Sequence, residues 1–287
     1  MALSGHLLGL SLGAMASVCW GFADFIARGA TRKTGEHTTL LSVLTIGGIG
    51  IIFYTLPRGL TPLTAQSATL IFSTALVTVF GYLSLYRAFK VGMLSVVSGI
   101  ASCNAIIPVI LALVLLGERP LPWQYAGICV VLVGVVLLSM GKKATLPSHT
   151  HELGVGPAVI AMLLFGTGLF GMKLSVDLAG PETVALLVRL IGIGILIAWI
   201  GVSGRLAMPA ADVRPALLAA GLLDAAAFIF FCEALTHTLL SLVAPISSTI
   251  PVVTVGLAYF LLHERLHLGQ WIGLGLALAG ITLVAIS

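Results

Sequence analysis

The chain has 287 residues, 59% of them hydrophobic and only 8% charged, with a net charge of +4. A soluble domain carries about 25% charged residues, so this composition excludes one and points to a protein held almost wholly within a bilayer. The sequence holds no P-loop, zinc-finger spacing or basic patch interleaved with aromatics, which removes the ATP-driven and nucleic-acid readings.

Ten apolar stretches fit spans of about 20 residues each. They cover 7–27, 38–56, 66–88, 94–116, 123–140, 155–174, 183–201, 215–235, 240–262 and 269–286. The first has no basic lead and runs directly into the second, so it reads as a transmembrane helix rather than a cleaved signal peptide. Connections are short, marked by Pro57-Arg58-Gly59, Gly141-Lys142-Lys143, Gly180-Pro181 and Met208-Pro209. The longest polar stretch lies at 141–153 and divides the chain into a five-helix unit at 1–141, a connector at 142–153 and a second five-helix unit at 154–287. Cys19, Cys103, Cys129 and Cys232 all fall inside apolar stretches, where small buried side chains are expected rather than disulfides or metal ligands.

The two units echo each other. A shift of 146 positions superposes Ser95 on Ser241, Glu118 on Glu264, Arg119 on Arg265, Gln124 on Gln270, Gly127 on Gly273 and Gly134 on Gly280. A shift of 145 superposes Trp20-Gly21 and Phe25 on Phe165-Gly166 and Phe170. Such sustained self-similarity is an internal duplication. Five spans per unit is an odd number, so successive units enter the membrane from opposite sides and form an inverted repeat, the arrangement of many secondary transporters.

Arg28, Arg32, Lys33, Arg87, Lys90, Lys142, Lys143, Arg205, Arg214 and Arg265 fall on one side of this topology. Arg58, Arg119 and Lys173 fall on the other, with both termini, so the charge bias places the termini outside.

The chain resembles the EamA-type branch of the drug/metabolite transporter superfamily. The likeness rests on Trp20-Gly21, Ala88, Ser95, Pro108, Gly117-Glu118, Gly127 and Gly134 in the first unit. In the second it rests on Phe165-Gly166, Ala234, Ser241, Pro245, Pro251, His263-Glu264, Gly273 and Gly280. The units depart from one another where His263 replaces Gly117 and where Gly99 stands opposite Pro245. The resemblance implies ten spans in two duplicated units and a transporter of metabolites or drugs, with the solute left open.

Several residues are candidates for the pathway. Asp24 lies inside the first span, where a carboxylate is costly unless it faces protein or water. It either binds a cationic group or a proton, or pairs with Arg28 one turn away. Asp224 has no basic neighbour within a turn, so its partner must come from another helix; its counterpart is Thr78. Asp224 is either a proton-coupling carboxylate or one member of an interhelical hydrogen bond. Arg189 is the one basic residue deep in a span, and it either meets an anionic solute or acidic partner or snorkels outward. Trp20 and Tyr82, with Tyr86 one turn on, offer aromatic faces. Ser98, Ser102, Asn104, Ser247 and Ser248 supply polar groups around Pro108, Pro245 and Pro251, which bend their helices.

At the helix ends, Arg87 and Glu233 occupy equivalent positions with opposite charge and suggest either gating pairs or headgroup contacts. Glu118-Arg119 and Glu264-Arg265 suggest a clamp in which the carboxylate holds the start of the following helix, or else a gate. His263 and His267 have a metal-like spacing without a third ligand, so no metal site and no cofactor is expected.

The sequence therefore points to an all-α integral membrane protein of ten helices in two inverted five-helix repeats. It is expected to be no enzyme but a secondary transporter of a small organic metabolite or drug-like solute working by alternating access, driven either by a solute gradient or by exchange with protons as the coupling ion. Its setting is the lipid of a bacterial inner membrane, as a monomer or a homodimer. A flippase for a lipid-linked substrate and a non-transporting scaffold are the rival classes.

Overall fold

In a computed structural model the chain is an all-α bundle, described over residues 2–92, 94–139, 148–203, 209–261 and 267–286. The helices are α1 (Ala2–Thr34), α2 (Glu36–Thr55), α3 (Ala65–Val91), α4 (Leu94–Ser102), α5 (Ile106–Leu115) and α6 (Pro122–Ser139). They continue as α7 (Ser148–Ser203), α8 (Arg214–His237), α9 (Leu240–Ser247), α10 (Ile250–Leu261) and α11 (Leu268–Ala285). Eight helical stretches among the described residues are long and apolar enough to cross a membrane, and Pro122–Leu138 is a shorter apolar helix beside them.

Sequence explains the ends and breaks. Nothing halts α1 until Gly35, and its last turn carries Arg32 and Lys33, which suit the negative end of the helix dipole. The helix α3 starts in a reciprocal cap: Thr64 accepts from the Ser67 amide, and the Ser67 hydroxyl accepts from the Thr64 amide. Two of the expected spans, 155–174 and 183–201, are arms of α7 that meet at Gly180, whose φ of 74° only glycine adopts without strain.

The expected spans 94–116 and 240–262 are both broken near their middles. A 3-10 turn at Cys103–Ala105 separates α4 from α5, and Ser248 and Thr249 separate α9 from α10. The two breaks are equivalent under the shift of 146. Pro108 and Pro251 sit in the first turn of the second half-helix, where a missing amide hydrogen costs little.

Helices in lipid gain no hydrophobic drive from meeting one another, so close packing through small residues must hold them. The α6–α11 crossing shows this most clearly. A Cβ placed on Gly134 falls 2.5 Å from the Ala277 amide nitrogen, and one on Gly273 falls 2.5 Å from that of Leu138. One on Gly127 falls 3.0 Å from the Gly280 carbonyl oxygen. Gly127 meets Gly280 while Gly134 meets Gly273, so the two helices run antiparallel.

The duplicated motifs of the first helices have the same physical basis. A Cβ on Gly21 falls 2.5 Å from Val253 Cβ in α10, and one on Gly166 falls 2.7 Å from Ile107 Cβ in α5. Each glycine thus lets a helix of one unit press against the broken helix of the other. The most extensive remaining packings, α3 on α7 and α1 on α8, also join the two units.

Two apolar clusters result. One gathers Leu10, Ile71, Phe231 and Ile246, the other Ala30, Leu40, Phe89 and Leu217. Along α1 they are separated by the turn that carries Trp20 and Asp24.

Candidate functional site

Between the two clusters lies a cavity of about 60 Å³. Its walls are Trp20 and Asp24 from α1, Thr78, Tyr82 and Leu85 from α3, and Asn104 at the first helix break. Phe165, Gly168, Leu169 and Met172 from α7, Phe228 from α8, and Ser247, Ser248 and Ile250 at the second break complete it. Since one ordered water needs roughly 10–15 Å³ by this kind of measure, the space holds a few waters. A larger solute requires the helices to part.

Of the expected pathway residues, Trp20, Asp24, Thr78, Tyr82, Asn104, Ser247 and Ser248 meet at this cavity. Among the described residues that line it, Asp24 is the sole carboxylate and none is basic. The Trp20 indole nitrogen is buried with no hydrogen-bond partner among the described residues. The Tyr82 and Phe165 rings meet edge to face at 5.1 Å, and Trp20 leans on Phe231 at 5.7 Å.

Asp224 is not on the cavity wall. It is buried behind Tyr82, whose hydroxyl donates to its Oδ1 at 2.8 Å, and its Oδ2 lies 2.6 Å from Nη2 of Arg189. That ion pair is close but poorly aligned for a hydrogen bond, and both Nη atoms of Arg189 lack a hydrogen-bond partner among the described residues. The guanidinium also stands 5.0 Å from the Phe228 ring centre. Both charges are about 3% exposed, so Arg189 does not snorkel. The partner of Asp224 thus arrives from another helix, α7, and is a cation rather than a neutral hydrogen-bonding group alone. A gap at Gly47 on α2 admits the pair, with a Cβ there falling 3.7 Å from Asp224 Oδ2 and 2.9 Å from the Gly221 carbonyl.

The helix breaks are tied together across the two units. Ser248 donates to Asn104 Oδ1 at 2.8 Å, Ser17 and Thr249 share a hydrogen bond of 3.0 Å, and Ser98 meets Thr254 at 3.4 Å. Ser98 and Ser102 are buried outside the cavity wall. Pro108, Pro245 and Pro251 are buried near the breaks, Pro245 lying within α9.

The helix-end residues sort differently. Glu118 is buried and accepts from the Leu240 amide at 3.0 Å, the Ser241 amide at 2.9 Å and the Ser241 hydroxyl at 2.5 Å. It therefore holds the start of α9 in the other unit, not the helix that follows it. At α6 itself, Pro122 has no amide hydrogen and Gln124 Oε1 accepts from the Leu121 amide at 2.9 Å.

Arg87 and Arg119 are exposed. Glu233 accepts from the Tyr54 hydroxyl, while Arg58 covers the Tyr54 ring at 4.0 Å. Glu264, Arg265 and His263 lie outside the described residues.

Sequence reasoning left out Leu85, Gly168, Leu169, Met172, Phe228 and Ile250, and it named Phe165 only as part of a motif. A signal existed for two of them: Phe165 stands at the position of Trp20 and Phe228 at that of Tyr82 under the duplication shifts.

The sequence model of the EamA-like transporter family matches twice, over residues 7–140 and 152–286. Protein RarD of Streptomyces exfoliatus is 25% identical over 186 residues, which is 63% of this chain and 56% of that relative. The chain thus spans little more than half the length of the curated relative it matches. A solved structure, described only as the crystal structure of a protein, superposes with a TM-score of 0.76 over 96% of this chain and 95% of its own at 18% identity. That likeness speaks for the fold alone.

Proposed function

The chain belongs to the EamA-like transporter family of the drug/metabolite transporter superfamily, and from that premise we propose that it carries a small organic solute through the cavity by alternating access. The observation that carries this reading is the position of the cavity, where the broken helices of both units meet in the middle of a multi-pass bundle. Broken helices at the midplane are the usual site of solute binding in secondary transporters.

The proposed architecture is ten spans in two inverted five-helix repeats, 1–141 and 154–287, joined by 142–153. Eight long apolar stretches, the shorter helix at Pro122–Leu138 and the division of the longest helix at Gly180 support the count. Equivalent helices α6 and α11 run antiparallel with reciprocal contacts, as a two-fold axis in the membrane plane requires. In this mechanism the solute binds beside Trp20 and Asp24, the units repack about their glycine contacts, and the other mouth opens. Asp24 is the carboxylate placed to take a proton in exchange. Glu118 closes one mouth by gripping α9. The setting is a bacterial cytoplasmic membrane.

A solute library offered to purified protein in liposomes tests this. Saturable uptake with counterflow of one chemical class is the expected result. Non-saturating equilibration without counterflow, or no transport across a broad library, overturns it.

A further inference from the structure

We infer that the solute is an organic cation: an ammonium group held by Asp24, with its apolar body among Trp20, Tyr82, Phe165 and Phe228. This deepens the carrier reading and rests on it.

The charge balance of the cavity carries the inference. Among the described residues on its wall one carboxylate stands opposite no basic side chain. Arg189, buried in the bundle, is already held 2.6 Å from Asp224 behind the wall. The Asp224–Arg189 pair is neutral as a unit, so the wall's uncompensated charge is that of Asp24. Once Asp24 has given up its proton, an anionic solute meets repulsion there, and a neutral one leaves the carboxylate's charge unanswered on the wall. A cation resolves both.

The remainder of the wall fits the same ligand. Aromatic ring faces attract a cation through their quadrupoles, most strongly where water is scarce. Four of the wall's residues are aromatic, and two of them, Tyr82 and Phe165, are locked edge to face at 5.1 Å. The indole nitrogen of Trp20, without a partner among the described residues, lies one helical turn before Asp24 and offers a donor to an oxygen on the same solute. Tyr82 cannot turn its hydroxyl proton toward the ligand without leaving Asp224, to which it donates at 2.8 Å. Its ring is therefore what it presents.

The test uses full-length protein in liposomes and four probes of similar shape. These are 2-phenylethylammonium, its N,N,N-trimethyl analogue, neutral 3-phenylpropan-1-ol and anionic 3-phenylpropionate. Saturable binding of the two cations at least tenfold tighter than the alcohol or the carboxylate is expected, with a loss of tenfold or more in Asp24→Asn. Equal or tighter binding of the neutral or anionic probe overturns the inference, and so does undiminished cation binding by a folded Asp24→Asn protein. The wild-type probe series stands without the variant should Asp24→Asn fail to fold by size-exclusion and thermal unfolding. Cation binding without counterflow keeps this assignment and removes the carrier. Counterflow of a neutral or anionic solute that the ammonium probes do not inhibit keeps the carrier and removes the assignment.

Discussion

Gln124 and Gln270 make the same bonds in opposite directions. Gln124 Nε2 donates to the Val284 carbonyl at 3.3 Å, and Gln270 Nε2 donates to the Leu138 carbonyl at 3.4 Å. Each also caps its own helix, its Oε1 accepting from the Leu121 amide at 2.9 Å or the His267 amide at 3.1 Å. Val284 is the counterpart of Leu138 and His267 that of Leu121, so a single design is used twice.

Matched chemistry predicts matched cost. Gln124→Ala and Gln270→Ala each remove two hydrogen bonds, at about 1 kcal/mol apiece, and should lower thermal stability by equal amounts. A melt of each variant in detergent, followed by tryptophan fluorescence, checks this. A difference between them larger than the smaller effect would show that the two contacts are not equivalent.

Gly134→Ala and Gly275→Ala should move stability in opposite directions. The new methyl at 134 meets the backbone nitrogen of Ala277 at 2.5 Å, and backbone cannot give way cheaply, so a loss of about 1–3 kcal/mol follows. Gly275 lies on α11 with nothing within 4 Å of the added carbon, and alanine there should gain about 0.5–1 kcal/mol of helix preference. Unfolding in denaturant separates the two signs.

Ion pairs of different depth should differ sharply. Asp224→Asn or Arg189→Met leaves a buried charge without its partner and should cost about 3–5 kcal/mol, with the double replacement losing less than the two singles together. The Lys33–Asp212 pair has a similar separation of 3.0 Å, but its side chains are 64% and 62% exposed. Lys33→Ala should change stability by less than about 1 kcal/mol. A double-mutant cycle on the inner pair and a single melt on the outer one test the contrast.

Glu118→Gln should loosen the start of α9 while leaving the rest of the bundle intact. The amide keeps one acceptor oxygen where the carboxylate used two, so about 0.5–2 kcal/mol of capping is lost. Hydrogen exchange should quicken at the Leu240 and Ser241 amides and remain unchanged at Val131 and Ala277. Unchanged protection at residues 240 and 241 would remove Glu118 as their clamp.

What the sequence discloses here follows from what is local or repeated. Membrane residence is written in composition, and the helix breaks in Pro108, Pro245 and Pro251. The close crossings are written in glycines that recur at a fixed shift. Asp24 and Trp20 could be singled out because a turn of one helix carries both. The Asp224–Arg189 pair could not be joined from sequence: its members sit on different helices, and each alone fits several roles. Glu118 illustrates the same limit from the other side. Its recurrence before a new helix suggested a local cap, but Gln124 fills that role at α6, and the partners of Glu118 lie in the other unit. Cavity residues such as Met172 and Leu169 are indistinguishable by type from the many apolar residues that face lipid.

The glycine seam between α6 and α11 has one more consequence. A surface that is complementary to its own rotated image is the kind by which identical subunits form closed pairs. Here both partners are already present on one chain, and Gly127, Gly134, Gly273 and Gly280 hold them in backbone contact along the seam. The contact is saturated from within. Association between whole molecules that leaves this internal pairing in place must therefore use a different face.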